Sequence, residues 1–241
     1  MIENLEDYLV GIVVGIRFRA NFTIEDQLGK IVDTILYSND SFFNPNIFPH
    51  VRAGVCQKHL VNPETDDRLT IDNSNFVLEI QFENENGFMK SDYKKILENF
   101  DREIIKGVMT RYKIQQILRT GLIKRYLFPF KNLATSFVDK TIGKTLEGVN
   151  DINLSFSKKI PTPEAMAQRD VNDWCNAIFN IIKKADSNEI FMSIDYQLYY
   201  NPFLEKASEI KFIPFVNAAE SFNQKKYLPW LNTNYMEAID E

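Results

Sequence analysis

Two histidines and two cysteines are all the imidazole and thiol that the 241 residues provide. A general base poised near neutral pH is usually an imidazole, so nucleophilic catalysis by a Ser-His or Cys-His pair has few candidates. Zinc takes four ligands, and "HVRAGVCQKH" offers His50, Cys56 and His59 with no second Cys/His pair elsewhere. Cys56 and Cys175 lie far apart in the chain, which gives no disulfide framework and makes a reducing cytoplasm the expected compartment. Glycine and proline are scarce too, nine of each, and collagen-like or linker-dominated chains are excluded. Long apolar runs are missing. The stretch Leu9 to Ile16 is too short to span a bilayer, and "MIENLEDYLV" opens acidic where a secretory leader opens basic. Net positive charge is lacking as well, and −5 argues against coating nucleic acid by bulk electrostatics. Repeats, heptads and low-complexity tracts are not discernible in the sequence. "DKTIGKTLEG" ends like a phosphate-binding loop in Gly143-Lys144-Thr145. Val138 stands where the first glycine is required and no strand feeds the loop, so that reading is excluded.

What is present is ordinary globular material, 44% hydrophobic and 25% charged, long enough for one large or two small domains. The 19 phenylalanines read as core. Leu9 to Phe18 reads as the first strand. Thr23 caps a helix with Asp26 at the capping-box position and Leu28, Ile31, Val32 and Ile35 on one face. A short strand is expected near Val51 to Gln57. "LTIDNSNFVLEIQF" reads as two strands or one hairpin, its second arm turning Phe76, Leu78, Ile80 and Phe82 one way. The clearest helix places Tyr93, Ile96, Leu97, Phe100, Ile104, Val108 and Tyr112 at helical spacing, and a strand follows from Gln116 to Phe128. A short helix is expected over Leu133 to Thr141 and a strand over Ile152 to Phe156. "WCNAIFNIIKK" fits helix or strand and is taken as strand, hairpinned through "ADSNE" to "EIFMSIDYQLYYNP". The C-terminal region reads as helix in two pieces, with Pro214 in a first turn. The expected class is therefore α+β, antiparallel sheets packed by helices. The N-terminal half (1–130) reads as a split β-α-β-β-α-β arrangement, or the same with an extra strand, and 131–241 forms a second α+β half or continues the first.

Candidate chemistry is sparse. Asp195 lies in the middle of an alternating strand, on the face shared by Ser193, Gln197 and Tyr199, where it reads as a solvated polar position. Asp72, with Glu79 and Gln81 on the next strand, resembles the layout of restriction-endonuclease-like nucleases. Hard oxygen ligands so spaced would hold Mg²⁺ to orient water and stabilise a transferring phosphate. The charge distribution has one asymmetry. Lys106, Arg111, Lys113, Arg119, Lys124, Arg125 and Lys131 follow one another with no intervening acid, and Tyr112 and Tyr126 lie among them. Bases with aromatics suit a phosphate backbone with splayed bases, or an acidic protein surface.

"VVGIRF", "ILRTGLIKRYLF" and "IFMSIDYQLYYNP", in this order and followed by a helical C-terminus, resemble a sporadically distributed bacterial family of uncharacterised proteins of about this length. That family carries an Arg-x-Gly-Leu-Arg-Tyr-like strand and a late Leu-Asp-x-Asp-x-Tyr-like strand. Here Arg125-Tyr126 is displaced by an insertion and Ser193 stands where a first acid is common. The resemblance implies α+β architecture, a hairpin over Cys175 to Tyr199, and carriage on mobile or defence-related elements. It brings no established activity. The reading is a non-catalytic cytosolic binding protein without a cofactor, a partner or regulatory subunit of a bacterial assembly, with a protein partner expected and no membrane. The alternative is a Mg²⁺-dependent nuclease or nucleic-acid-binding protein built on Asp72, Glu79 and the 106–131 segment.

Overall fold

A computed structural model describes residues 2–38, 40–54, 56–82, 89–129, 151–166, 172–184 and 189–236. The strands are β1 (Leu9–Phe18), β2 (His50–Gly54), β3 (Gln57–Val61), β4 (Arg68–Asp72), β5 (Asn75–Gln81), β6 (Ile117–Phe128), β7 (Ile152–Ile160), β8 (Trp174–Lys183) and β9 (Ile190–Leu204). They form one antiparallel sheet in the order β2-β3-β4-β5-β1-β6-β9-β8-β7. Helix α1 (Phe22–Tyr37) follows β1. Helix α2 (Tyr93–Asn99) follows β5 and runs on through π-helical turns over Phe100–Met109. Helix α3 (Phe212–Phe222) follows β9 and continues to Met236. The α+β class is as expected, but the first half holds more strands than the split arrangement. The single strand expected at Val51 to Gln57 is two, β2 and β3, turned at Cys56 with φ 57°. The sheet also runs unbroken across residue 130, because β6 pairs with β1 on one side and β9 on the other.

The order hides a quasi-repeat. β1 is followed by α1, then by a meander that comes back to it through β5, then by α2. β6 is followed by the meander β7-β8-β9, which comes back to it through β9, then by α3. The two opening strands meet at the centre with Gly15 opposite Gly121, Val13 opposite Ile123 and Arg17 opposite Arg119. The sequence carries no matching repeat, since a fold of this kind needs only the same alternation in each half.

Alternation explains the layering. Ile12, Val14, Ile16 and Phe18 of β1, Leu122, Tyr126 and Phe128 of β6, and Met192, Ile194, Tyr196 and Leu198 of β9 are buried on one face. The helices cover that face with Ile31 and Ile35 of α1, Ile96, Phe100 and Ile104 of α2 and its extension, and Phe212 and Phe215 of α3. Ring pairs tie helix to sheet, Tyr196 with Phe215 at 5.5 Å and Phe179 with Tyr227 at 5.1 Å, and helix to helix, Phe100 with Phe212 at 5.5 Å. The cap of α1 is Asn21, whose Oδ1 accepts the Thr23 N–H at 3.0 Å, so the cap lies two residues before the expected Thr23. Pro214 lies in the first turn of α3, as expected. Pro229 lies further along, flanked by π-helical turns at Asn223–Tyr227 and Asn232–Met236. Wide turns of that kind absorb the donor a proline lacks. The helix expected at Leu133 to Thr141, Gly143-Lys144-Thr145, Lys131 and the "ADSNE" turn from Ala185 to Asn188 lie outside the described residues. The β8–β9 hairpin itself is formed, with Lys183 opposite Ile190 and Trp174 opposite Tyr199.

Candidate functional site

The described helices leave the opposite face of the sheet open, and its residues can be laid out as rows across β5, β1, β6 and β9. One row is Asn75, Arg17, Arg119, Tyr199. The next is Val77, Gly15, Gly121, Gln197, and the next Glu79, Val13, Ile123, Asp195. The last is Gln81, Gly11, Arg125, Ser193. Nine strands spaced about 4.8 Å apart make this face roughly 38 Å wide. Outward along the first half the face carries Arg68 and Thr70, then His59, then Arg52. Outward along the second half it carries Trp174, Asn176 and Asn180, then Ser155, Ser157 and Lys159. Its cations are Arg17, Arg52, Arg68, Arg119, Arg125 and Lys159, and its acids are Asp72, Glu79 and Asp195. A chain of net charge −5 thus turns an arginine-rich face outward.

At the centre two side chains are missing. Gly15 and Gly121 sit opposite each other and leave a depression of about 130 Å³, walled by Val13, Val77, Ile123, Arg17, Arg119, Asn75, Asp195 and Gln197. A Cβ on Gly121 would meet nothing closer than Asp195 Oδ1 at 4.0 Å, and one on Gly15 would meet Val77 Cγ2 at 3.3 Å. Gly11 on the same face is different, because the Gln81 side chain fills its notch, with Oε1 2.9 Å from where a Cβ would stand. Glycine inside a strand weakens it and marks a close approach by something else.

The rim is ordered by hydrogen bonds. Arg119 Nη1 donates to Gln197 Oε1 at 3.3 Å and to the Tyr199 hydroxyl at 3.2 Å, with its guanidinium 5.6 Å from the Tyr199 ring centre. Tyr199 donates to the same Gln197 Oε1 at 2.5 Å, and Gln197 Nε2 donates to Asp195 Oδ2. Trp174 stacks on Tyr199 at 4.2 Å, and Lys159 Nζ lies 5.0 Å from the Trp174 ring centre. Gln197 is therefore fixed in one amide orientation by two donors on its oxygen, and it orients the Asp195 carboxylate with Oδ1 toward Gly121. Burial pushes the Asp195 carboxyl above its ordinary range, against the Gln197 hydrogen bond and the Arg119 charge, which pull it down. The expectation of a solvated strand position is thus corrected. Asp195 is partly buried in a concave site beside Arg119.

The basic segment does not form a patch. Lys106 lies on the α2 extension and pairs with Asp101 at 2.5 Å, while Arg111 in the last helical turn and Lys113 just past it are exposed. Lys124 points the other way and is 1% exposed, held by Glu6 at 2.7 Å, Glu220 at 3.2 Å and the Tyr93 ring at 4.7 Å. Tyr126 is buried and Tyr112 packs against α1 through Thr34 at 2.8 Å. Among the segment's described residues only Arg119 and Arg125 reach the open face. Asp72 and Glu79 are on that face but are held apart. Glu79 sits opposite Arg68, four residues down β4 from Asp72, a separation of about 13 Å at 3.3 Å per residue. Asp72 is spent on the β4–β5 turn, accepting the Ser74 and Asn75 N–H groups at 2.6 Å each. Glu79 pairs with Arg125 at 2.5 Å and accepts from Gln81 at 3.3 Å. Two carboxylates so placed cannot share one divalent ion, and among the described residues no three His, Cys, Asp or Glu side chains converge to hold a metal. Cys56 is exposed at its turn. His59 Nδ1 bonds the Thr70 hydroxyl at 3.0 Å, and burial and then Arg68 and Arg52 lower its pKa.

Sequence reasoning missed Arg17, Arg52, Arg68, Lys159 and the paired glycines. Alternation within each strand marks them as outward, but only strand order shows that they share one surface. No helix among the described residues is long and apolar enough to cross a membrane. No family model, curated protein or solved structure matches the chain.

Proposed function

We propose that the chain is a non-catalytic binding protein that holds a nucleic-acid strand across the open face of its sheet, as a cytoplasmic subunit of a bacterial assembly. Membership of the sporadically distributed family, with its link to mobile or defence-related elements, belongs to the same proposal. The observation that carries it is the Arg17–Arg119 pair. Like charges directly opposite on neighbouring strands repel, and an anion lying between them removes the penalty. Five of the six cations on the face are arginines, which grip phosphate bidentately, and the polar neutral positions among them are Asn, Gln, Ser and Thr. An acidic protein surface would answer to the charge but leaves the asparagine and glutamine lining without a purpose.

The test is fluorescence anisotropy with labelled single-stranded and duplex 12-mers at low salt. Binding that weakens steeply with salt, and by tenfold or more in the Arg17→Glu/Arg119→Glu double variant, is the expected result. Equal affinity in that variant, or no binding at low salt, ends the proposal.

A further inference from the structure

The depression at the centre of the face invites a more specific statement, which rests on the reading just given. We infer that it takes one unpaired base of the bound strand, a guanine, whose phosphate lies on Arg17 and Arg119 and whose edge is read by Asp195.

Three features select this occupant. The floor of the depression is backbone at Gly15 and Gly121, and its inner walls are apolar at Val13, Val77 and Ile123. A planar ring without charge suits such a floor. The rim then presents opposite signs at opposite ends. Arg17 and Arg119 form the row on one side of the glycines, and Asp195 stands in the row on the other, about 13 Å along the strands. A ligand that spans them needs an anion at one end and N–H donors at the other, as a nucleotide has. Finally, Asp195 is committed to acceptance. Its Oδ2 is occupied by Gln197 Nε2, and Gln197 cannot flip because Arg119 and Tyr199 both donate to its Oε1. The remaining oxygen, Oδ1, faces the space above Gly121.

Guanine offers two adjacent donors, N1–H and N2–H₂, to that oxygen. Thymine offers N3–H flanked by two carbonyl oxygens, which a carboxylate repels, and cytosine offers one amino group only. The base must be unpaired, because its Watson–Crick edge is the edge being read.

The experiment compares three single-stranded 12-mers, all-thymidine, one with a single central dG and one with a single central dC, against wild type, Gly121→Val and Asp195→Asn. A valine at 121 has room at its Cβ and fills the vacancy, and asparagine keeps the shape of Asp195 while removing its charge. Thermal unfolding confirms that both variants are folded. The expected result is tenfold or greater preference of wild type for the dG strand over the thymidine strand, absent when that dG is paired in a duplex, and lost as a ratio in both variants. Equal binding of the three strands by wild type, or a dG preference that survives in Gly121→Val, overturns the base site while leaving the nucleic-acid reading intact. Failure of wild type to bind any strand at low salt overturns both.

Discussion

Asp195 and Lys124 are charged groups that the fold takes partly or wholly out of water. Asp195 binds its proton more tightly in the folded chain than in the unfolded one, because burial raises its pKa. The sign follows from linkage: folding is favoured with Asp195 protonated, and stability is lost as pH rises from the ordinary carboxylate range through the raised folded value. Asp195→Asn removes that loss. Urea titrations are expected to show the variant close to wild type near pH 3 and increasingly the more stable of the two toward pH 7. Lys124 has the opposite character. It is 1% exposed and holds Glu6 and Glu220, and Tyr93 donates to the same Glu220 oxygen at 2.8 Å. Lys124→Met leaves two partly buried carboxylates without their cation, and a loss of about 3 kcal/mol in urea unfolding is expected. The sequence already held part of this. Lys124 alternates with Leu122 and Tyr126, both core residues, and only its charge argues for the surface. A lone strand cannot reveal that Glu6 and Glu220, far away in the chain, meet it there.

At the level of elements, periodicity was a sufficient guide wherever one face is buried and the other is not. β5 is the clearest instance, with Phe76, Leu78 and Ile80 all buried and Asn75, Val77, Glu79 and Gln81 half-buried. It worked less well at β2 and β3, where all of β2 is exposed and its turn at Cys56 lacks the glycine or asparagine that positive φ usually recruits. It also misplaced the start of α1. Because Asn21 and not Thr23 supplies the capping oxygen, Asn21→Ala is expected to cost about 1 kcal/mol while Thr23→Ala costs little, and thermal melts of the two variants decide between them. The candidate site was legible only in pieces. Gly121 and Arg119 stand in a quoted motif and Gly15 and Arg17 in another, yet their meeting depends on β1 pairing with β6, and no local pattern encodes a partner so distant.

Across the whole molecule, charge is sorted by layer: the chain is acidic in sum, and its open sheet face is basic. The affinity for a single strand is therefore expected to fall with salt along a log–log slope of about −3, the value for roughly four phosphates neutralised, which anisotropy across a salt series measures directly. A slope near zero would place the binding energy elsewhere. The strand order also leaves β1, the first strand made, waiting for both of its neighbours. β1 finds its neighbours only in β5 and β6. On a ribosome adding about 5–20 residues each second, the partner strand β6 emerges roughly 5–20 s after β1. Through that interval Leu9, Ile12, Val14 and Ile16 form an apolar ladder with one edge unclaimed, an edge open to pairing with other chains during synthesis.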